Sequence, residues 1–282
     1  MEVSITLDQN VFNDTNSDTV VFQGYRMIAH ITVAGGQSQG ELQMRIYGLS
    51  LKIMNQLSTL GKTPVYTEKN TITVFAGDDF GISEVFKGTI QQAYTDLGSA
   101  PDNVFHISAF AGLYEAMQII PATSIAGAAA AEVILSGLAG QMGKKFENNG
   151  VHVMLDNPNY SGSAKSQMDA VINDADIRGG IFNDVLAIWP KDGNREGNTP
   201  MISPATGMIG YPFPSGQGLL GVRTLFNPDL AFGCNVEVQS DIQPACGIWT
   251  ICHVDYDLEA EVPGGAWFGT LLLTPPGYLR VS

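Results

Sequence analysis

Two nine-residue segments far apart in the chain spell related sequences: Thr89–Leu97 reads TIQQAYTDL and Thr250–Leu258 reads TICHVDYDL, with Thr, Ile, Asp and Leu in matching places. Their surroundings recur in the same order. In the first part LQMRIYGLSLKIM precedes NTITVFAGD, then TIQQAYTDL, then NVFHISAF; in the last part LGVRTLFNPDL precedes CNVEVQSD, then TICHVDYDL, then WFGTLLLTP. Four strand-like elements thus repeat in series, which predicts one β unit present twice and separated by something different.

Local patterns support strands at both ends. VVFQGYRMIAHITV, closing on Gly35-Gly36, reads as one or two strands and a turn, and GELQMRIYGLS alternates Leu42, Met44 and Ile46 against Glu41, Gln43 and Arg45, the period of a half-buried strand. SLKIMNQLST reads as a short helix or loop with Ser50 as its N-cap. Beyond the turn residues Gly61 to Pro64, NTITVFAGDD, EVFKGTIQQAYTD and, past Pro101, NVFHISAF complete an all-β stretch with the spacing of an antiparallel barrel or sandwich.

At Pro121 the character changes. TSIAGAAAAEVILSGLAGQMG has helical propensity, a Thr or Ser cap and a closing glycine; GVHVML reads as a short strand, SGSAKSQMDAVINDA as a second capped helix, and IFNDVLAIWP as a strand ending at Pro190. KDGNREGNTP is polar and rich in breakers, so it marks a boundary, with a second β domain beginning near Met201. The expected organisation is therefore a β domain over 1–110, a small α/β module over 111–200 and a β domain over 201–282.

Composition narrows the function. Hydrophobic residues at 44% and charged ones at 15% exclude a disordered chain, and 32 glycines and 14 prolines dispersed along the sequence fit many short strands joined by turns. Acidic residues outnumber basic ones 28 to 14, so the net charge of −14 argues against a clamp on a nucleic-acid backbone, although it suits a conduit to which a polyanion should not stick. MEVSITLDQN has neither the positive nor the apolar region of a secretory signal. The most apolar stretch, Ile125 to Gly140, carries Glu132 and falls short of the ~20 residues of a membrane span, so a buried helix is expected there.

Candidate chemistry is sparse. Cys234, Cys246, Cys252 and His253 cluster late in the chain, but gaps of eleven and five residues separate the cysteines, unlike the short pairings of zinc sites; small buried hydrophobes are the expectation, and no metal is assigned. Asp78-Asp79 and Asp255, Asp257 and Glu259 are the carboxylate groups a glycosidase could draw on, yet nothing in their spacing fixes two acids ~5 to 10 Å apart across a cleft. The alternating acids of VDYDLEAE read as one solvated or lumen-facing strand face. His30, His106 and His152 each fall between apolar neighbours in apparent strands, the setting of a structural histidine, and no G-x-S-x-G elbow is present. Gly207, Gly210, Gly216, Gly218 and Gly221 lack the following helix and the G-K-S/T of a phosphate loop, so they are assigned to turns, with no cofactor implied.

Against this background, MISPATGMIGYPFPSGQGLLGVRTLFNPDLAFGCNVEVQS resembles a stretch of baseplate hub proteins of long-tailed bacteriophages, carried here by Gly207, Ile209, Gly210, Pro212, Arg223, Leu225, Phe226, Asn227, Pro228, Leu230 and Gly233. GIWTICHVDYDLEAEVPGGAWFGTLLLTP resembles the family's closing strands, with a Gly-rich hairpin before Trp267, and VFAGDDFGISEVFKGTIQQAYTDLGSAPDNVFHISA its N-terminal tube domain. The resemblance implies a mainly β fold with two tail-tube-like antiparallel β-barrel domains flanking a small α/β insertion. It further implies a homotrimer whose six barrels form a pseudo-sixfold ring around the DNA ejection channel.

The implied partners are the tail tube or distal tail protein, other baseplate, tip or spike proteins and the tape-measure protein. DNA would be passing cargo only, no membrane insertion is implied, and the location is the virion tail after assembly in a host cytoplasm. The chain is short beside such hubs, so fused lysozyme or spike functions are expected on other chains. The competing readings are a hydrolase acting on cell-wall polymer and, more remotely, a carbohydrate-binding module. A concave pocket with two close carboxylates would favour the first, whereas ring formation around an acidic opening would favour the hub.

Overall fold

The computed structural model describes residues 1–8, 10–12, 16–35, 38–60, 69–78, 81–98 and 103–277. The sequence readings that fall on Gly36, Gly61–Pro64, Asp79 and Pro101 lie outside the described residues. In chain order the elements are β1 (Glu2–Thr6), β2 (Thr19–Gln23), β3 (Met27–Val33), β4 (Glu41–Tyr47), α1 (Leu51–Leu57), β5 (Thr71–Asp78), β6 (Gly81–Asp96) and β7 (Val104–Phe110). Then follow α2 (Leu113–Met117), β8 (Thr123–Ser124), β9 (Ala128–Ala130), α3 (Ala131–Met142), β10 (Lys145–Asn148), β11 (Met154–Asp156), β12 (Asn159–Tyr160), α4 (Ala164–Asp174), β13 (Ile177–Phe182) and β14 (Val185–Pro190). The last are β15 (Met201–Ile202), β16 (Phe213–Ser215), β17 (Leu219–Leu225), β18 (Asn235–Val238), β19 (Gly247–Ala260) and β20 (Trp267–Thr274). The fold is mainly β, built on extensive antiparallel pairing with few helices, as the composition and period predict.

The chain divides into two compact units, one of Met1–Thr32, Gly40–Tyr114 and Asp255–Gly269, the other of Val33–Gln39, Glu115–Val254 and Thr270–Ser282. In the first, the strands run β3-β4-β7-β6-β5-β1-β2, all pairs antiparallel, and the last part of β19 lies beside β3. Period-2 patterning fixes the register: β4 buries Leu42, Met44 and Ile46 while Gln43 and Arg45 stay exposed, and a one-residue slip would reverse every one of them. Facing them across β7 and β3, Ile107, Ala109, Ala29 and Ile31 are also buried, and each large aliphatic side chain here contributes about 1.5–3 kcal/mol. α1 closes over this core with Met54 and Leu57, and its first turn is capped by Ser50 Oγ, which accepts from Ile53 N at 3.4 Å.

In the second unit, β17, β20, β19 and β18 are hydrogen-bonded in that order, which repeats β4-β7-β6-β5 element for element. The register repeats too. Thr89 opposes Thr71, the first residue of β5, and Thr250 opposes Asn235, the first residue of β18. Both threonines are buried, and each is followed by a buried Ile90 or Ile251. β16 continues the order beyond β17, and β15 pairs in parallel with β18.

Between the repeats, β10, β14 and β13 form a small mixed sheet covered by α3 and α4, with Leu135, Leu138, Met168, Val171 and Ile188 in its core. α4 starts on Ser163, whose Oγ accepts from Ser166 N at 3.2 Å, as its sequence predicts. α3 departs from expectation. It starts at Ala131 rather than near Thr123, and its N-cap is Ala130 with no side-chain cap, because the preceding residues are drawn into β8 and β9, which pair with β12 and β11. Its end does follow the prediction, at Gly143 in the left-handed region (φ 68). IFNDVLAIWP is not one strand but the end of β13, a turn with Asn183 at φ 52, and β14. GVHVML is extended only from Met154.

Candidate functional site

The side of the first unit's sheet opposite its core is polar and ordered in rows. Across β3, β4, β7 and β6, His30, Gln43, Ser108 and Gln92 oppose one another in turn, and the neighbouring row is Ile28, Arg45, His106 and Tyr94. These residues line an open groove of about 360 Å³. Beside β3, the strand β19 buries Val254, Tyr256 and Leu258 and turns Asp255, Asp257 and Glu259 the other way, the alternation read from VDYDLEAE. Two side-chain bonds tie these acids to β3: His30 Nδ1 lies 2.8 Å from Asp257 Oδ1, and Thr32 Oγ1 donates to Asp255 Oδ1 at 2.7 Å. Glu259 accepts from Ala266 N at 3.2 Å and so braces the hairpin before β20.

The polar groups of this face are engaged with one another. His106 stacks on Tyr94 with ring centroids 4.8 Å apart and planes 3° from parallel. Burial and then the charge of Arg45 lower its pKa from the usual histidine value, against an opposing effect of Asp96, which favours a neutral imidazole at neutral pH. Asp255, Asp257 and Glu259 are each engaged by a hydrogen-bond partner, and Asp78 sits exposed at the end of β5.

The other candidate residues are scattered. Cys234 is buried, which pushes its thiol up, and Cys252 is pushed up to about 11 by burial, its Sγ donating to Leu272 O at 3.1 Å. Such thiols remain protonated at neutral pH and are weak nucleophiles. Cys246 contradicts the expectation of a buried hydrophobe: it is exposed, and its Sγ donates to Ser240 O at 3.1 Å. Among the described residues no group of three or more His, Cys, Asp or Glu is placed to hold a metal ion. The histidines also differ from expectation, since the side chain of His30 is 51% exposed, and His152, 80% exposed and outside any strand, meets Glu132 at 3.2 Å.

Gly207, Gly210 and Gly218 adopt φ of 109°, 72° and 79° and serve turns as predicted, and Gly216 opens a short 3-10 turn. Gly221 does not. It sits within β17 where an added Cβ would fall 2.2 Å from the ring of Phe213, so its role is to admit that ring. Of the other residues carrying the resemblance, Pro212 and Leu230 are buried, and Gly233 at φ 82 packs under Trp189, which makes them supports of the fold.

Sequence reasoning missed one polar centre. Glu147, Asn149 and Arg195 interlock beside the buried aromatic group Phe182, Trp189 and Phe232, with Arg195 5.3 Å above the Phe182 ring. KDGNREGNTP offered only a charge inside a breaker-rich run, and its partner stands 48 residues earlier.

Solved structures share this architecture. The tail protein from Neisseria meningitidis MC58 is 10% identical with a TM-score of 0.63, covering 98% of this chain and 96% of that one. The 43 kDa tail protein of prophage MuSo2 from Shewanella oneidensis is likewise 10% identical with a TM-score of 0.63, covering 98% and 97%. A type VI secretion component of E. coli, itself similar to the T4 bacteriophage tail proteins gp27 and gp5, is 9% identical with a TM-score of 0.62 over 92% of this chain and 77% of that one. At such identities the likeness is one of fold. No curated protein sequence matches the chain. Residues 1–262 match the model of the family described as baseplate hub gp41, and the chain therefore belongs to that family of structural phage baseplate proteins.

Proposed function

We propose that three copies of this chain close a ring at the tail tip that joins the tail tube to the tip proteins and encloses the DNA ejection channel. The observation that carries the reading is the repeated strand order, β4-β7-β6-β5 and β17-β20-β19-β18, with Thr89 and Thr250 in the same register. Two similar tube-like domains, over 1–110 and 201–282 around the insertion at 111–200, give three chains six equivalent positions. That reconciles a threefold tip with a sixfold tube.

The polar sheet face is the channel wall in this reading. Asp255, Asp257, Gln43 and Gln92 present carboxylates and amides to a passing polyanion beside the single guanidinium of Arg45 in the groove lining, and at ~8 Å screening length a wall with this acidic excess repels nearby phosphate without creating deep binding wells. The partners are the tail tube or distal tail protein, the tape-measure protein and the spike or tip proteins, which supply any cutting of the cell wall; the ring itself performs no catalysis. The native mass of the hub released from assembled tails tests the proposal. Three chains per particle support it, and a single chain per virion contradicts it. Monomers in dilute solution would not count against it, since neighbouring tail proteins shift the association equilibrium.

A further inference from the structure

The internal repeat makes one strand contact inside the chain and, among the described residues, leaves its counterpart open. In the first unit β3, hairpin partner of β4, lies beside the last part of β19, where His30 and Thr32 bind Asp257 and Asp255. β16 stands to β17 as β3 stands to β4: Phe213 opposes Gly221 and Ser215 opposes Leu219, as His30 opposes Gln43 and Thr32 opposes Glu41. Setting LQMRIY on LGVRTL places Gly221 where Gln43 stands and Leu219 where Glu41 stands, so Phe213 and Ser215 are the counterparts of His30 and Thr32. Setting Thr250 on Thr89 makes Tyr94 and Asp96 the counterparts of Asp255 and Asp257.

Among the described residues these two counterparts find no partner strand. β16 pairs only with β17. β5 accompanies β6 only as far as Thr89, and Thr59 closes the same edge at Ala93, which leaves the edge at Tyr94–Asp96 without a strand. Phe213 is 40% exposed, its ring laid over Gly221.

We infer that β16 of one copy seats against the Tyr94–Asp96 edge of β6 in a second copy, and that this is the seam by which the ring closes; the inference rests on the ring proposed above. Such a contact is heterologous, one patch meeting a different patch, which generates a closed ring when the rotation allows. Pro214 has no N–H to give, a property suited to an edge strand, so the seam is carried by side chains more than by a ladder. By the counterpart pairs the Ser215 hydroxyl faces Tyr94, as Thr32 faces Asp255, and Phe213 faces Asp96, as His30 faces Asp257, with the Tyr94 ring one pair along to offer it apolar area.

The test is a disulfide across the seam in the full chain, in a Cys246→Ser background that removes the exposed native thiol. Phe213→Cys combined with Asp96→Cys, oxidised mildly in assembled tails, is expected to give covalent dimers and trimers, whereas either cysteine alone gives none. Ser215→Cys with Tyr94→Cys, the counterpart of the Thr32–Asp255 pair, repeats the measurement with Phe213 kept, should loss of that ring impair assembly. Assembled trimers of correct mass that form no cross-link with either pair would overturn the seam and leave the ring standing. A hub that is not an oligomer in the tail would overturn both.

Discussion

The guanidinium of Arg195 meets the carboxylate of Glu147 through two bonds of 2.7 Å, Nε donating to Oε1 and Nη2 to Oε2. Asn149 bridges the same centre, donating to Glu147 Oε1 at 3.0 Å and accepting from Glu196 N at 2.9 Å, so the polar run after Pro190 is pinned to the strand β10. A bidentate, partly desolvated pair is stronger than an exposed one. Arg195→Ala is expected to cost about 1.5–3 kcal/mol in chemical denaturation.

The same pair gives a pH dependence with a definite sign. The hydrogen bonds of Arg195, opposed by burial and aided by Asn149, hold the Glu147 carboxyl below the usual glutamate value. Its contribution is therefore fully present above that usual value and fades as pH falls through the lowered one. The stability difference between the native chain and Glu147→Gln should shrink on acidification through this window. A difference that grows instead would contradict the assignment.

Lys144 holds a second buried charge. Its Nζ lies 3.4 Å from Glu115 Oε1 and 3.2 Å from Asp184 Oδ1, and the Glu115 side chain is only 3% exposed. Lys144→Met leaves that carboxylate buried beside one fewer cation, which should cost about 3–5 kcal/mol. Adding Glu115→Leu to the same chain should recover most of the loss, and a double-mutant cycle by denaturant titration reads both.

Gly35 marks a close approach that has no tolerance for a side chain. A Cβ there would lie 2.0 Å from Phe232 Cζ, and Phe232 is itself buried against Trp189 and Phe182. Gly35→Ala should destabilise by about 1–3 kcal/mol through overpacking, visible as a lowered Tm.

How far the sequence was legible follows the range of the interactions. Strands β4, β5 and β7 were readable because period-2 burial is written in the residues themselves, and α4 because Ser163 is a local cap. The Ala-rich run before α3 misled because pairing with β11 and β12 overrides helical propensity, and that pairing joins residues about thirty apart. Asn183-Asp184 between two apolar runs did carry a turn signal that divides IFNDVLAIWP. The acidic face of β19 was visible as an alternation, but its fastening to β3 was not, since His30 and Asp257 stand 227 residues apart.

As a structural ring protein, the purified chain should release no product from peptidoglycan. Turnover that disappears on replacing Asp255 or Asp257 would show that the acids held by Thr32 and His30 do chemistry, and would revive the hydrolase reading.

The most direct measurement is a three-dimensional reconstruction of the assembled tail tip at side-chain detail. Three copies are expected around the axis, with Gln43, Gln92, Asp255 and Asp257 facing an open passage and β16 of each copy beside β6 of the next. One copy on the axis, a passage lined mainly by Lys and Arg, or the polar face of the sheet packed away from the passage would contradict this arrangement.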